Sequence, residues 1–175
     1  VIFTSGSTGT PKPVAVSHGA VARFCRDQAH TLWQAGDALL HIAPFTFDAS
    51  TYEIWAPLIG GARLVLMPPG RWTLADIEAQ VSAHAVTTLH LTAPLFNALS
   101  ADDIAALDGV SCLLTGGDVV APAQVRAALA ARSGRRLLHC YGPTETTTFA
   151  VTFAATRAAE VPGLLPIGRA IAGTR

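Results

Sequence analysis

The residues best suited to chemistry fall in short clusters. Thr4-Ser5-Gly6-Ser7-Thr8-Gly9-Thr10-Pro11-Lys12 packs hydroxyls, glycines and one lysine into a single run. Glycines let backbone amides turn toward an anion, hydroxyls add donors and lysine adds a point charge, so such a loop can wrap a pyrophosphate. The competing reading is a flexible Gly/Ser linker. Pro11 and Lys12, set between two strand-like runs, weigh against it. The loop is not a P-loop, because Gly6 lacks a Gly-Lys-Ser/Thr at the required offset. Tyr141-Gly142-Pro143-Thr144-Glu145 offers an aromatic face for a base, a hydroxyl for a phosphate and a carboxylate for Mg2+. Its competing reading is a turn followed by an ordinary strand. Gly116 and Gly117 would let a planar ring approach the backbone, although paired glycines also simply form turns. Asp48 is a carboxylate that, if it faced an apolar pocket, would need a cation as partner. It could instead cap the next helix, but Ser50 and Glu53 read as a capping box for that helix and leave Asp48 free to face a ligand.

Elements that could position these clusters alternate along the chain. Strands are expected over residues 1–4, 12–17, 38–43, 63–67, 87–91, 111–114, 136–139 and 146–153, from β-branched or continuous apolar runs bounded by turn residues. Helices are expected over 19–30, 50–60, 74–84, 95–99 and 122–131, the last with Pro122 at its first turn. This order implies an α/β fold of mostly parallel strands with flanking helices, whose ligands collect at the carboxyl ends of strands. The clusters sit at such ends. No internal repeat or interdomain linker is visible.

Composition narrows the function. Half of the 175 residues are hydrophobic and only 14% are charged, which suits a packed core and argues against disorder. Twelve basic side chains balance twelve acidic ones, so no broad positive field exists to hold nucleic acid or an anionic membrane. Cys25, Cys112 and Cys140 are widely spaced, against a zinc site or disulfide framework and in favour of a cytoplasmic location. The apolar runs are shorter than the roughly 20 residues a membrane helix needs. Val1-Ile2-Phe3 reads as the middle of a strand and Gly173-Thr174-Arg175 as an unfinished end, so a fragment is expected.

The chain resembles the adenylation domains of nonribosomal peptide synthetases, within the adenylate-forming, AMP-binding superfamily. The resemblance rests on the Thr4 to Lys12 loop followed in order by Phe47-Asp48-Ala49-Ser50, Leu114-Thr115-Gly116-Gly117-Asp118, Tyr141-Gly142-Pro143-Thr144-Glu145 and Pro166-Ile167-Gly168-Arg169. It covers essentially all of residues 1–175 and implies one fragment of the large N-terminal region, without its N-terminal strand or the C-terminal subdomain. It implies ATP-dependent activation of an amino acid as aminoacyl adenylate, with Mg2+, and transfer to a carrier domain bearing phosphopantetheine. Lys12, Thr144 and Glu145 would be catalytic, with Glu145 on the metal. Thr4, Ser5, Gly6, Ser7, Thr8, Gly9, Lys12, Gly117, His139, Cys140, Tyr141 and Thr144 would bind ATP.

The resemblance also implies a substrate pocket of Asp48, Ala49, Tyr52, Leu91, Leu114, Gly116, Cys140, Thr148 and Phe149. Asp48 would take the α-ammonium. The rest carry no charge, and the bulky members favour a branched aliphatic side chain such as that of valine, isoleucine or leucine. The nearest rival is an acyl- or aryl-CoA synthetase, which has no need of Asp48. Two departures stand out. Pro13 replaces a common glycine and removes a backbone donor. His139 replaces a common asparagine that meets the adenine amino group, and in one tautomer it could still accept a hydrogen bond.

Overall fold

The computed structural model describes residues 1–4, 10–26 and 32–174. A short antiparallel hairpin pairs β1 (Ile2–Thr4) with β2 (Lys12–Val14), placing Thr4 opposite Lys12. The rest is built on a seven-stranded sheet. Its strands are β3 (Ala38–His41), β4 (Arg63–Leu66), β5 (Thr88–Thr92), β6 (Cys112–Gly116), β7 (Arg136–Tyr141), β8 (Val151–Ala155) and β9 (Arg169–Ala170). They lie in the order β4-β3-β5-β6-β7-β8-β9. The run from β4 to β7 is parallel, and β8 and β9 add antiparallel. The expected mostly parallel α/β fold is therefore found.

Strands covered on both faces carry continuous apolar runs rather than a polar face. Helices α1 (His18–Cys25) and α2 (Ala49–Gly60) cover one face, where Phe24, Tyr52 and Ala56 pack on Leu39, Leu114 and Leu138. Helices α3 (Leu74–Ala83), α4 (Ala93–Asn97), α5 (Ala101–Ala106) and α6 (Pro122–Ala131) cover the other. There Ile77, Phe96, Ile104 and Val125 pack on Leu89, Leu91, Leu113 and Leu137. A fully buried Arg135 pins this layer, donating to the carbonyls of Val110 at 3.0 Å and Ala128 at 2.9 Å and to that of Leu107.

Several expected elements shift for physical reasons. The Ser50–Glu53 capping box does not form. Ser50 Oγ instead sits 3.5 Å from the Phe45 carbonyl, and Glu53 points inward with no exposed surface. The strand expected over 146–153 begins only at Val151, because Thr147 and Thr148 adopt φ of 71° and 68° after a 3-10 turn at Thr144–Thr146. Left-handed backbone at β-branched residues is costly and concentrates at functional sites. Helix α5 starts at a Ser100–Asp103 capping box that the apolar periodicity alone does not reveal, and the same signal starts α3 at Thr73 and Asp76. Of the helix expected over 19–30, α1 ends at Cys25, and residues 27–31 lie outside the described set.

Candidate functional site

The loops after β6 and β7 meet the start of α2 and frame two cavities. One of about 450 Å³ is walled by Val120, His139, Tyr141, Pro143, Leu165 and Ile167. The other, about 280 Å³, is walled by Phe47, Asp48, Ala49, His90, Thr92 and Phe149, with Gly116 and Thr148. Gly117, Asp118, Cys140 and Gly142 belong to both walls, so the cavities adjoin at the carboxyl ends of β6 and β7. Ligands of open parallel sheets bind at this edge.

Asp48 precedes α2 but makes no capping bond with its side chain. Its Oδ2 instead accepts from Thr144 Oγ1 at 2.6 Å, and its carbonyl accepts from Thr148 Oγ1 at 3.0 Å. The start of α2 is thus tied to the loop after β7, across 96 positions of sequence. Glu145, beside Thr144, is exposed. Among the described residues no group of three or more His, Cys, Asp or Glu could hold a metal by itself, so a cation at Glu145 would need oxygens from a ligand.

Two glycines have separate reasons to be glycine. At Gly116 a Cβ would stand 2.0 Å from the Cys140 carbonyl oxygen, so its role is the close approach of β6 to β7. At Gly117 nothing lies within 4 Å of such a Cβ, but φ is +83°, which bulkier residues adopt only with strain. It leaves open space at the larger cavity. Cys140 is buried, and desolvation pushes its thiol well above the ordinary range, so it is an inert wall residue. Tyr141, half exposed, lines the larger cavity. His139 Nδ1 lies 3.0 Å from the Pro166 carbonyl, which can only accept. A ring that donates there as the Nδ1–H tautomer keeps its Nε2 lone pair as an acceptor.

The smaller cavity corrects the expected wall. Leu91 belongs to the opposite face of the sheet, packed under α3 and α4, because side chains alternate along β5. His90 and Thr92, one position either side, stand at the cavity instead. Tyr52 and Leu114 are fully buried one layer behind it. Tyr52 backs the wall, with its ring 5.5 Å from that of Phe149 and 6.4 Å from that of His90. Asp48, Ala49, Gly116, Cys140, Thr148 and Phe149 are brought together on its wall.

Lys12 is exposed on β2, opposite Thr4, and neither lines a cavity described above. Ser5, Gly6, Ser7, Thr8 and Gly9 lie outside the described residues. Sequence reasoning missed His90, Thr92, Asp118 and Glu53. The first two were marked by the polar-apolar alternation of Thr88-Leu89-His90-Leu91-Thr92. Glu53 receives backbone N–H donors from Ile42 at 2.9 Å and Ala43 at 2.8 Å, with His41 Nδ1 2.8 Å away on the same oxygen. Its burial pushes the carboxyl pKa up, but the hydrogen bonds of His41, His90 and Ala43 outweigh that and hold it below the ordinary value.

Comparison with known proteins gives consistent matches. The model of the family "AMP-binding enzyme" matches residues 1–175. Malpibaldin synthetase of Mortierella alpina is 38% identical over 175 residues, which are 99% of this chain and 3% of that protein. Surfactin synthase subunit 2 of Bacillus subtilis (strain 168) is 35% identical over 174 residues, 98% of this chain and 5% of that protein. The chain therefore spans a small fraction of these relatives. Among solved structures, PA1221, an NRPS protein containing adenylation and PCP domains, superposes with a TM-score of 0.90 at 37% identity. That match covers 98% of this chain and 35% of PA1221. The N-terminal subdomain of NpsA from Klebsiella oxytoca, in complex with 3-hydroxybenzoyl-AMSN, superposes at 0.87 with 30% identity, covering 98% and 44%.

Proposed function

This chain belongs to the AMP-binding enzyme family, and on that premise we propose that it carries the nucleotide and acid sites of an enzyme that activates an amino acid with ATP. A carboxylate oxygen of the amino acid attacks the α-phosphorus. The bond from that phosphorus to the bridging oxygen breaks, pyrophosphate leaves and an aminoacyl adenylate remains. The acyl group then passes to a phosphopantetheine thiol on a carrier domain. PA1221, described as containing adenylation and PCP domains, supports that partner. Three buried free thiols suit a reducing cytoplasm.

The observation that carries the reading is a pair of adjoining cavities, with the Asp48 carboxylate on the wall of the smaller one bonded to the Thr144 hydroxyl of the loop after β7. A nucleotide base in the larger cavity, between Tyr141 and the Gly117 backbone, would direct its phosphates toward Thr144. An amino acid in the smaller one would set its ammonium on Asp48. Catalysis is then positioning and charge neutralisation. Thr144 donates to the α-phosphate, and Lys12 with the hydroxyls of Thr4, Ser5, Ser7 and Thr8 holds the leaving pyrophosphate. Glu145 with phosphate oxygens fits Mg2+, which supplies further neutralisation when bound.

The side chain received is, in this proposal, a branched aliphatic one. A cavity of about 280 Å³ bounded by Phe47, Ala49, Phe149 and Cys140 suits that size. One observation supports a rival acid class: the related NpsA subdomain was solved in complex with 3-hydroxybenzoyl-AMSN, which carries an aryl acyl group, so activation of an aryl acid is the second reading. The test is ATP–pyrophosphate exchange by the full-length protein with amino acids, fatty acids and aryl acids. Exchange confined to amino acids upholds the proposal, and exchange driven by fatty or aryl acids alone replaces it with the rival.

A further inference from the structure

Glu53 lies on α2 with no exposed surface, yet it touches two strands. Its Oε2 accepts from the amides of Ile42 and Ala43 and from His41 Nδ1. Its Oε1 faces His90 Nδ1 at 3.4 Å. An ionised carboxylate only accepts, so each ring must donate through Nδ1. A neutral imidazole that donates through Nδ1 keeps a lone pair on Nε2. His90 stands on the wall of the smaller cavity with Asp48, and its Nε2 has no protein partner among the described residues.

We infer that Glu53 is a positioning residue for the acid-binding cavity: it fixes His90 as the Nδ1–H tautomer, so that Nε2 offers the bound acid an acceptor beside Asp48. This rests on the function proposed above and adds a chemical demand to it. The acid must bring an N–H or O–H donor, which is either its α-ammonium or a hydroxyl on its side chain.

Glu53→Gln separates this role from simple anchoring. The glutamine carbonyl can replace Oε2 and keep the bonds to Ile42, Ala43 and His41. Its NH2 then occupies the place of Oε1 and requires an acceptor at His90 Nδ1, which moves the ring proton to Nε2. The cavity would present a donor where it had an acceptor.

Two measurements on the full-length protein decide the matter. Nitrogen-15 ring spectra, with His90 assigned by its loss in His90→Gln, should show Nδ1 protonated and Nε2 bare, and Glu53→Gln should reverse them. A His90 protonated on Nε2 in the unmodified protein, as the other tautomer or as the cation, would overturn the inference. In pyrophosphate exchange, Glu53→Gln and His90→Leu should each raise the amino-acid KM about tenfold and leave the ATP KM within about twofold. Equal rises for valine and its isostere threonine in His90→Leu identify the ammonium as donor, and a rise for threonine alone identifies the hydroxyl. Either upholds the inference. Additive effects in the double variant, or an ATP KM that rises as much as the amino-acid KM, would reduce Glu53 to a structural anchor and overturn it. Absence of exchange with every amino acid would overturn the amino-acid reading and the acceptor's role toward it, whereas the ring spectra alone decide the hold of Glu53 on His90.

Discussion

Thr144 Oγ1 lies 2.6 Å from Asp48 Oδ2, joining the loop after β7 to the first residue before α2. Each group satisfies the other, and each is the group assigned to one of the two ligands. In the proposed reaction an ammonium arriving at Asp48 would compete with the Thr144 hydroxyl and release it toward a phosphate. The contact is short enough to be a charge-assisted hydrogen bond.

Thr144→Val keeps the shape of the side chain and removes this donor. It should lower kcat for adenylation by about 10- to 100-fold, the range for losing one hydrogen bond to developing charge. Thr144→Ser should retain most of the activity. Steady-state pyrophosphate exchange checks both, and a valine variant as active as the serine variant would remove Thr144 from the chemistry.

Gly116→Ala should destabilise the fold by more than about 3 kcal/mol, because its Cβ would meet the Cys140 carbonyl oxygen at 2.0 Å. A tryptophan there would disrupt the pairing of β6 with β7 before it filled any cavity. Gly117→Ala meets no atom within 4 Å and should cost only the left-handed backbone, about 1–2 kcal/mol. Urea unfolding of the two alanine variants checks the order.

The fold was legible because both faces of the sheet are covered, which writes most of its strands as short, largely apolar runs between turn residues. The Asp48 side of the smaller cavity was legible for a similar reason, since Phe47-Asp48-Ala49-Ser50 is contiguous in sequence. The wall from β5 was not. Leu91 is the more apolar choice, but one step along a strand changes the face, and His90 holds the position. Glu53 was hidden because a carboxylate three residues after a serine at a helix start looks like a cap. Only the fold brings His41 and His90, 12 and 37 positions away, to the same carboxylate.

Burial alone would raise the pKa of Glu53, but the hydrogen bonds of His41, His90 and Ala43 leave it depressed in the folded protein. A depressed carboxylate stabilises the fold fully above its unfolded value, about 4.3, and loses that contribution as pH falls through the folded value. The difference in unfolding free energy between the unmodified protein and Glu53→Gln should therefore be constant near neutrality and shrink below about pH 4. Comparing the pair cancels the other depressed carboxyls, those of Asp76, Asp103 and Glu160. Urea midpoints from pH 7 to pH 3 check it, and a difference that grows on acidification contradicts it.

The central claim is that Asp48 receives the ammonium of an amino acid, and its most direct test compares valine with 3-methylbutanoate, the same acid without the amino group. Pyrophosphate exchange is measured with each acid in the full-length protein and in Asp48→Ala, alongside the dissociation constant for ATP. The account predicts strong preference for valine in the unmodified protein, and a loss of about 100-fold or more with valine in the variant, from an ammonium left unpaired in the cavity. ATP affinity should change by no more than about threefold, since Asp48 does not line the larger cavity. An unchanged rate with valine in Asp48→Ala, or equal exchange with the two acids in the unmodified protein, would contradict it.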